Sequence, residues 1–550
     1  MEKRVVWLHV LLLFCFTVLM VRLSVLGQGD SLAQAAARQS SSLLELGTSR
    51  GGIYDRNGKP LVNRASVTSL AVTPTPEGME ALRESLEPEE FSAALEVLRQ
   101  GRPMVVRSPG WLPPSTREGV VAFQLPVRYS GEQLAVHLLG YVDESGHGVT
   151  GIEKGYDQLL REMGGSVYAR YFVDANRSAV AGEATEVVDQ RAAPRGGVVL
   201  TLDRGIQQQT EAAMDQVEKG AAVVMEVDTG EIMAMASRPA YDLTRIADFL
   251  QDPDSPFFDR ALGAYDVGST FKLCVAAAAL EKGWSTGYTY ECGGSYQLGE
   301  QKFHCHNRYG HGPLDMAGAL EHSCNPYFIN LGMRLGGQEL YNMAWAMGFG
   351  SPTPLCEGVT GAAGELPSVG QLEGGALANF SFGQGAFTAT PVQLARMVSI
   401  IANGGRWVTP TVYLGVTRDG GQVVRDGEPE PSRQVISPGT AATLRRMLIG
   451  VVEEGSGANA RPDNGGAGGK TATAQTGVFQ GEEEVLHGWF AGFYPAQEPK
   501  YAIVVFAEGG GEGSEVPARA FGDICDGIAK VEEPGEGFVE KFFQPAGSIR

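Results

Sequence analysis

The sequence predicts a mixed α/β fold, of α+β type, on two observations. Apolar runs of strand character lie at both ends of a long C-terminal region, at Gly197–Asp203 and Ala221–Ser237 and again at Trp489–Tyr494 and Tyr501–Glu508. Ala-rich sequence of helical character lies between them, most clearly at Tyr265–Gly283. Because strands must bury an apolar face against another layer, we expect one sheet formed by both ends of this region and flanked by helices.

The composition is that of a folded, acidic protein. The chain has 550 residues, of which 43% are hydrophobic and 20% charged, and this balance excludes bulk disorder. Its 44 basic and 64 acidic residues give a formal charge of −20, so we expect no nucleic-acid partner. Seven cysteines are too few for a disulfide scaffold. Cys292 and Cys305 are close enough in sequence to pair in an oxidising compartment, and the other thiols are expected to be free.

Residues 1–26 predict a cytoplasmic stub and a transmembrane anchor. Val5–Met20 carries no charge, and the apolar stretch continues to Leu26, which is enough to cross a hydrocarbon core about 30 Å thick. A cleaved signal peptide is the alternative, although the residues after the apolar run form only a weak cleavage site. Lys3 and Arg4 precede the segment, so the positive-inside rule predicts a cytoplasmic N-terminus, a single pass through the cell membrane and an extracytoplasmic remainder.

Composition divides the rest of the chain into three parts. Turn residues between apolar runs at Arg50–Leu61 predict a β-hairpin, and the charged segment Glu77–Gln100 predicts a helix. The composition changes near Pro194–Gly197. We therefore expect a stalk and an N-terminal domain in residues 27–195, a larger domain in residues 196–530, and a loose tail in residues 531–550.

Capping and turn residues predict the first elements of the larger domain. Asp203 is placed to cap a helix over Arg204–Lys219, which Gly220 would close. Asp228-Thr229-Gly230 separates two apolar runs and predicts a β-hairpin.

Ser269 and Lys272 lie one helical turn apart and form the first pair of residues that could carry out a reaction. Gly268 interrupts the chain before them, and Gly283 stands where a helix end is expected. A serine hydroxyl needs a base to become a nucleophile, and a lysine amine can be that base if its pKa is lowered. Taken alone, the pair also fits an ordinary solvent-facing helix turn.

A second group is Ser323-Cys324-Asn325. Pro326 follows and biases Asn325 away from helical backbone angles, so we expect these residues in a loop. A hydroxyl and an amide on one loop can relay a proton and hold a substrate amide. A turn before a helix is the structural alternative.

A third group is Lys470-Thr471-Ala472-Thr473, which follows a Gly-rich run and alternates like a strand. A cation with neighbouring hydroxyls can bind a carboxylate, and backbone N–H groups can polarise a carbonyl. An exposed lysine on a strand is the alternative.

Taken together and in this order, the three groups resemble the motifs of penicillin-interacting serine enzymes. The flanking sequences are similar to those of a class B penicillin-binding protein over nearly the whole chain, including DRALGAYDVGSTFKLCVAAAALEKG, GHGPLDMAGALEHSCNPYFINLG, NFSFGQGAFTATPVQLA, HGWFAGFYP and RGGIYDRNGKPL. Asp266-Val267 stands where this family often has Pro-Pro. Ala472 stands where the family usually has Gly, and we expect its methyl group to crowd the substrate backbone or a β-lactam.

The resemblance implies a monofunctional peptidoglycan D,D-transpeptidase that also binds β-lactams covalently. It implies a transpeptidase domain with a five-stranded antiparallel sheet flanked by helices, an elongated α+β pedestal and one transmembrane helix. Expected partners are peptidoglycan stem peptides, β-lactams, the membrane, a polytopic glycosyltransferase, and elongation, division or sporulation proteins. No cofactor and no metal are expected. A D,D-carboxypeptidase or β-lactamase-like hydrolase and a non-catalytic β-lactam-binding scaffold remain alternatives.

The resemblance also implies a role for each motif residue. The nucleophile would be Ser269, with Lys272 as its base. Ser323, assisted by Lys470, would pass a proton to the leaving group. The remaining expected roles are substrate binding by Asn325, Thr471 and Thr473, and an oxyanion hole formed by the backbone N–H groups of Ser269 and Thr473.

Three other patterns are set aside. Gly283–Gly287 matches a G-x-S-x-G elbow but follows a helix end, so a turn is expected. Gly465–Gly469 lacks the helix that a phosphate loop needs. Cysteines and histidines gather loosely between residues 292 and 322, but without a C-x-x-C pair we expect no zinc site; they are Cys292, His304, Cys305, His306, His311 and His322.

Overall fold

The computed structural model describes residues 2–27, 41–107, 119–174, 179, 186–425 and 432–533. The stalk was expected at Gln28–Ser42; residues 28–40 lie outside the described residues, and Ser41 and Ser42 begin a strand. The tail beyond 533 also lies outside them. Contacts divide the chain into two units, the first formed by residues 1–50, 65–128 and 162–194 and the second by 51–64, 129–161 and 195–550. Segments 51–64 and 129–161, which the sequence predicts in the N-terminal domain, therefore belong to the second unit. One reason is that strand Gly52–Tyr54 pairs in parallel with Gly197–Leu200.

The first unit contains an apolar N-terminal helix and two small sheets. The helix spans Glu2–Gly27, and its segment Lys3–Val25, with a mean hydropathy of 2.3, is long and apolar enough to cross a membrane. The sheets consist of strands Ser41–Ser49, Gly165–Phe172 and Glu186–Asp189, and of strands Met104–Arg107, Ala65–Val72 and Val120–Val127. The single helix expected over Glu77–Gln100 is two helices, Pro76–Ser85 and Pro88–Arg99, because Pro88 begins a new one.

The centre of the second unit is a five-stranded antiparallel sheet, as predicted. Its strands are β1 (Gly220–Glu226), β2 (Ile232–Arg238), β3 (Gly468–Gln480), β4 (Glu483–Tyr494) and β5 (Tyr501–Ala507), in the spatial order β2-β1-β5-β4-β3. Both ends of the domain meet where β5 pairs with β1, and the hairpin expected around Asp228-Thr229-Gly230 joins β1 to β2. Strand β3 is therefore an edge strand.

Helices cover both faces of this sheet. The two that carry motif residues are α1 (Lys272–Glu281) and α2 (Asn325–Leu335). The other α-helices among the described residues of this unit are Val136–Leu139, Gly151–Gly155, Asp157–Met163, Arg204–Ala213, Met316–Glu321, Gly337–Ala346, Gly374–Phe380, Pro391–Ala402, Pro438–Glu453 and Val516–Glu532. One core contains α1 and side chains such as Val504 on one face of the sheet, and a second packs the helix Val516–Glu532 against the other.

Smaller strand pairs surround this core. A four-stranded sheet joins Gly52–Tyr54, Gly197–Leu200, Tyr413–Thr417 and Val423–Val424. Two-stranded pairs are Tyr265–Asp266 with Thr388–Ala389, Tyr290–Cys292 with Gly312–Leu314, Ser295–Leu298 with Gln301–His304, and Thr353–Cys356 with Val359–Gly361. At Arg50–Leu61, only Gly52–Tyr54 is a strand, and an isolated bridge from Tyr54 to Pro60 closes the expected turn.

The helix that follows Asp203 is shorter than predicted. Asp203 caps its helix as expected, since its Oδ1 accepts hydrogen bonds from the N–H groups of Gly205 and Ile206. The helix ends at Ala213 instead of Lys219, with a 3₁₀ turn after it. Gly220 begins strand β1 and so is not a helix cap.

Candidate active site

The nucleophile segment is a 3₁₀ turn, Gly268–Phe271, that leads directly into α1. Ser269 is half-buried, and its Oγ has no hydrogen-bond partner among the described residues. The Gly268 N–H donates to the carbonyl of Gly383 at 3.0 Å. Gly383 has a φ of +77°, and a Cβ there would lie 2.0 Å from the Gly268 carbonyl oxygen, so only glycine permits this contact. The segment around Gly383 therefore supports the turn that presents Ser269.

Lys272 is fully buried at the start of α1 and is held by the second motif. Its Nζ donates to the Ser323 carbonyl at 2.7 Å and to Asn325 Oδ1 at 2.7 Å, and it lies 3.2 Å from Ser323 Oγ. Burial lowers the pKa of Lys272 from 10.5 to about 7, because a low-dielectric interior disfavours the charged amine. A substantial fraction of the amine is therefore neutral at neutral pH.

The second motif has an uncommon backbone. Ser323 has a φ of +49°, in the left-handed region that non-glycine residues rarely adopt, and such strain is concentrated at functional sites. Cys324 is extended, and α2 begins at Asn325. The expected loop thus ends one residue early, because Pro326 fits the first helical turn, where its missing N–H leaves no bond unmade.

The third motif lies on edge strand β3, next to the nucleophile turn. A Cβ on Gly268 would be 3.1 Å from the Thr473 carbonyl oxygen. Lys470 is fully buried, and its Nζ donates to the Thr471 carbonyl at 2.9 Å and lies 3.4 Å from Thr471 Oγ1. Burial, and then the charge of Lys272, hold the pKa of Lys470 well below its usual value. Thr473 is exposed, and its Oγ1 accepts a hydrogen bond from the Gly513 N–H at 3.3 Å.

Ala472 does not lie where the sequence analysis expected. The residue is only 3% exposed and packs in the core that contains Trp489. Its methyl group therefore faces the protein interior, and the hypothesis that it crowds a bound substrate is corrected. Asp266, which also departs from the family's usual sequence, pairs with Thr388. Its carbonyl accepts a hydrogen bond from Trp489 Nε1 at 2.9 Å.

Sequence reasoning missed Ser456, which connects two motifs. Its Oγ is 3.0 Å from Thr471 Oγ1, and its N–H donates to the Glu321 carbonyl at 3.1 Å, two residues before Ser323. A serine between Gly455 and Gly457 was the available signal, since glycines on both sides allow a close backbone turn.

Four metal-binding side chains gather beside the second motif. The donor atoms of Cys292, Cys305, His311 and Cys324 all lie within 4.8 Å of one another. Cys292 and Cys305 are free thiols. Cys324 does not belong to the group of cysteines and histidines singled out in the sequence, and the fold brings it in from the second motif.

A serine one helical turn before a buried, partly neutral amine, with an edge strand beside the turn, is the arrangement expected of a serine acyltransferase. Residues 220–526 match the family described as Penicillin binding protein transpeptidase domain. Stage V sporulation protein D of Bacillus subtilis is 31% identical over 516 residues, which cover 87% of this chain and 77% of that protein. This chain belongs to the penicillin-binding transpeptidase family, as its motifs predicted.

Other relatives agree with this assignment. Peptidoglycan D,D-transpeptidase MrdA of Acinetobacter baumannii is 27% identical over 600 residues, which cover 93% of this chain and 85% of that protein. The solved structure of penicillin-binding protein PBP2 from Helicobacter pylori has a TM-score of 0.67 at 22% identity, covering 90% of this chain and 100% of that one. The similarity to this solved structure shows that the two chains share a fold.

Proposed function

We propose that this protein is a serine D,D-transpeptidase that cross-links peptidoglycan stem peptides through an acyl-enzyme on Ser269. The observation that carries the proposal is the position of Lys272. Its buried Nζ contacts Ser323 and Asn325, and the same amine lies on α1 directly after the nucleophile turn. These contacts join the first and second motifs, and the third lies beside the nucleophile turn, where a Cβ on Gly268 would be 3.1 Å from the Thr473 carbonyl oxygen.

In the acylation step, Ser269 Oγ attacks the carbonyl carbon of the penultimate D-Ala, and Lys272 Nζ accepts the hydroxyl proton. The amine is suited to this task because its pKa, lowered to about 7, is close to the working pH. Ser269 Oγ makes no competing hydrogen bond among the described residues. Catalytic hydrogen bonds often tighten only when substrate binds, so we expect the bond from Ser269 to Lys272 to form in the substrate complex.

The negative charge that develops on the attacked carbonyl needs fixed donors. We assign this role to the backbone N–H groups of Ser269 and Thr473, since the Gly268 turn lies against the Thr473 backbone. One such donor is typically worth about 3 kcal/mol of transition-state stabilisation. No metal is needed for this step.

The departing D-Ala requires a proton on its amine. Ser323 would deliver it, and Lys470 would support the transfer, since both lie at the site with Lys272. Asn325 would hold the peptide amide, and Thr471 and Thr473 would bind the terminal carboxylate. A stem-peptide amine would then attack the acyl-enzyme and release Ser269.

The membrane position is part of this proposal. The helix that contains Lys3–Val25 would anchor the protein by a single pass, with Lys3 and Arg4 in the cytoplasm and the catalytic unit outside. A solved complex joins PBP2 to MreC of Helicobacter pylori. By analogy, this chain would work with elongation, division or sporulation proteins and with a polytopic glycosyltransferase.

The test is covalent labelling of the full-length protein in detergent with a fluorescent penicillin, followed by peptide mass mapping. We expect the label on the peptide that contains Ser269, and Ser269→Ala should abolish it. Ser285→Ala, which changes a serine in the turn after α1, is the matched control and should label normally. A label elsewhere would contradict Ser269 as the nucleophile, and the absence of any label would favour a scaffold.

Labelling alone does not separate transfer to an amine from hydrolysis. A thioester donor with a D-amino acid acceptor makes this distinction, because a transpeptidase forms the aminolysis product in proportion to the acceptor. Exclusive release of the free acid would instead identify a carboxypeptidase or a β-lactamase-like hydrolase.

A further inference from the structure

Two exposed cations lie beside the second motif, and the catalytic steps above do not use them. Lys302 is on the strand Gln301–His304, and Arg308 is in the turn that follows it; we call these two residues the cation pair. Residues 301–311 contain no acidic residue, although the whole chain has 64 acidic and 44 basic residues. We propose that the cation pair is a subsite for a carboxylate on the residue that precedes the two D-alanines of the donor stem peptide. This inference rests on the proposed transpeptidase function.

The two cations lie near one ring and have no anionic partner. Loss of hydration, and then the charges of Arg308 and Lys302, lower the pKa of His304, so both cations are close to this side chain. Neither cation forms an ion pair or a side-chain hydrogen bond among the described residues, and Glu300 in the preceding turn is paired with neither of them. Lys302 and His304 also share one face of their strand, because side chains two residues apart point the same way. Their positive potential is therefore available to a ligand.

The strand that carries Lys302 is held by the proposed catalytic residues. Asn325 Nδ2 donates to the His304 carbonyl at 3.3 Å, and Asn325 Oδ1 accepts from Lys272 Nζ at 2.7 Å. One amide side chain therefore joins the proposed base to this strand. Because an amide NH2 group has two hydrogens, the second remains for the carbonyl of a substrate amide.

The same strand also contacts the segment that supports the nucleophile turn. A Cβ on Gly375 would lie 2.2 Å from Gln301 Oε1, so the start of the strand lies against the helix Gly374–Phe380. That helix leads to Gly383, whose carbonyl accepts the hydrogen bond from the Gly268 N–H. The strand of the cation pair is therefore part of the candidate active site and not of a remote surface.

The direction of a bound donor brings its preceding residue to the cation pair. In the proposed complex, Thr471 and Thr473 bind the terminal carboxylate, and Asn325 holds the amide on its N-terminal side. The next residue of an extended chain advances about 3.5 Å, similar to the 3.3 Å between Asn325 Nδ2 and the His304 carbonyl. A carboxylate there would meet the planar fork of an arginine and the point charge of a lysine. The cation pair would thus select donors by an acidic group upstream of the D-alanines.

The test is competition against covalent labelling of the full-length protein in an uncharged detergent, with a penicillin that carries an uncharged fluorophore. Two pentapeptides that end in D-Ala-D-Ala are compared as competitors. One has meso-diaminopimelate as its third residue, and the other has lysine, which lacks only the second carboxylate. The diaminopimelate peptide should halve the labelling rate of Ser269 at an about fivefold lower concentration, which is the upper range for an exposed ion pair.

Charge variants separate this subsite from a general effect of charge. Lys302→Ala/Arg308→Ala should be protected equally by both peptides, Lys302→Glu/Arg308→Glu should favour the lysine peptide, and Lys302→Arg should keep the wild-type preference. Arg418→Ala, which removes an exposed arginine after the strand Tyr413–Thr417, is the matched control and should also keep it. Labelling without peptide should stay within about twofold of the wild-type rate in every variant, because surface substitutions leave the fold nearly unchanged.

The outcomes distinguish this inference from the proposed function. If penicillin labels Ser269 normally but the two peptides protect the wild-type protein equally, or neither protects it, the carboxylate subsite alone is overturned. The absence of a penicillin label on Ser269 would overturn both. A preference for diaminopimelate that survives in Lys302→Ala/Arg308→Ala would refute the two residues assigned to the subsite.

Discussion

The substitution Ala472→Gly tests whether the methyl group of the third motif packs in the core behind strand β3 or crowds a bound substrate. The methyl group is buried in the core, so its removal should weaken the fold and leave the exposed groups of the candidate active site as they are. Burying one methyl group is worth about 0.8 kcal/mol, and glycine in a strand costs about 0.5–1 kcal/mol relative to alanine. The variant should therefore be less stable by about 1.5 kcal/mol.

Two measurements on the full-length protein in detergent check this expectation. The melting temperature should fall by about 2–4 °C, since a shift of this size follows from such an energy in a large domain. The rate of acylation by a fluorescent penicillin should stay within about twofold of the wild-type rate, because no exposed group at the candidate active site has changed. Acylation that becomes tenfold faster at an unchanged melting temperature would refute the burial argument and restore the crowding hypothesis.

Three further predictions concern the site. The acylation rate should be constant above about pH 8 and fall tenfold per unit below about pH 6, because Lys272 must be neutral to act as a base and its pKa is about 7; a rate that still rises at pH 9 would contradict this. Ser456→Ala should raise KM for a stem peptide about fivefold with kcat nearly unchanged, because losing one hydrogen bond of about 1 kcal/mol corresponds to that factor. Ser456→Thr keeps the hydroxyl and should keep the wild-type KM, and the control Ser514→Ala should have no effect. Asn325→Ala should slow acylation, measured with the same fluorescent penicillin, because Lys272 Nζ loses an acceptor at 2.7 Å.

The sequence predicted the sheet and the three motifs because both depend on local patterns. Apolar runs bounded by turn residues marked most of the strands, and Gly, Ser and Lys at fixed spacing marked the nucleophile turn. The direction of the Ala472 side chain was not predictable in this way, since alternation identifies two faces without saying which neighbours cover each one. The grouping of Cys292, Cys305 and His311 with Cys324, and the contact of Ser456 with Thr471, were not predicted for a related reason. The partners are distant in sequence, and only tertiary packing brings them together.

The helix end at Ala213 shows how tertiary structure overrides a local signal. Gly220 is a reasonable helix stop by propensity, but the neighbouring backbone hydrogen bonds are used by β5. Pairing in the central sheet satisfies the backbone N–H and C=O groups of the whole strand, whereas a longer helix would satisfy only a few of them. Gly220 therefore belongs to a strand whose partner lies near the other end of the domain.

The pairing of Gly220 with Ala507 also has a consequence for biogenesis. A ribosome that has synthesised β1 and β2 must complete almost the entire catalytic unit before β5 exists to separate β4 from β1. Until then, the apolar edge of β1 lacks its neighbour, and such incomplete sheets are prone to aggregate. We expect premature termination anywhere before β5 to yield a chain that cellular proteases remove, even though all three catalytic motifs precede that strand.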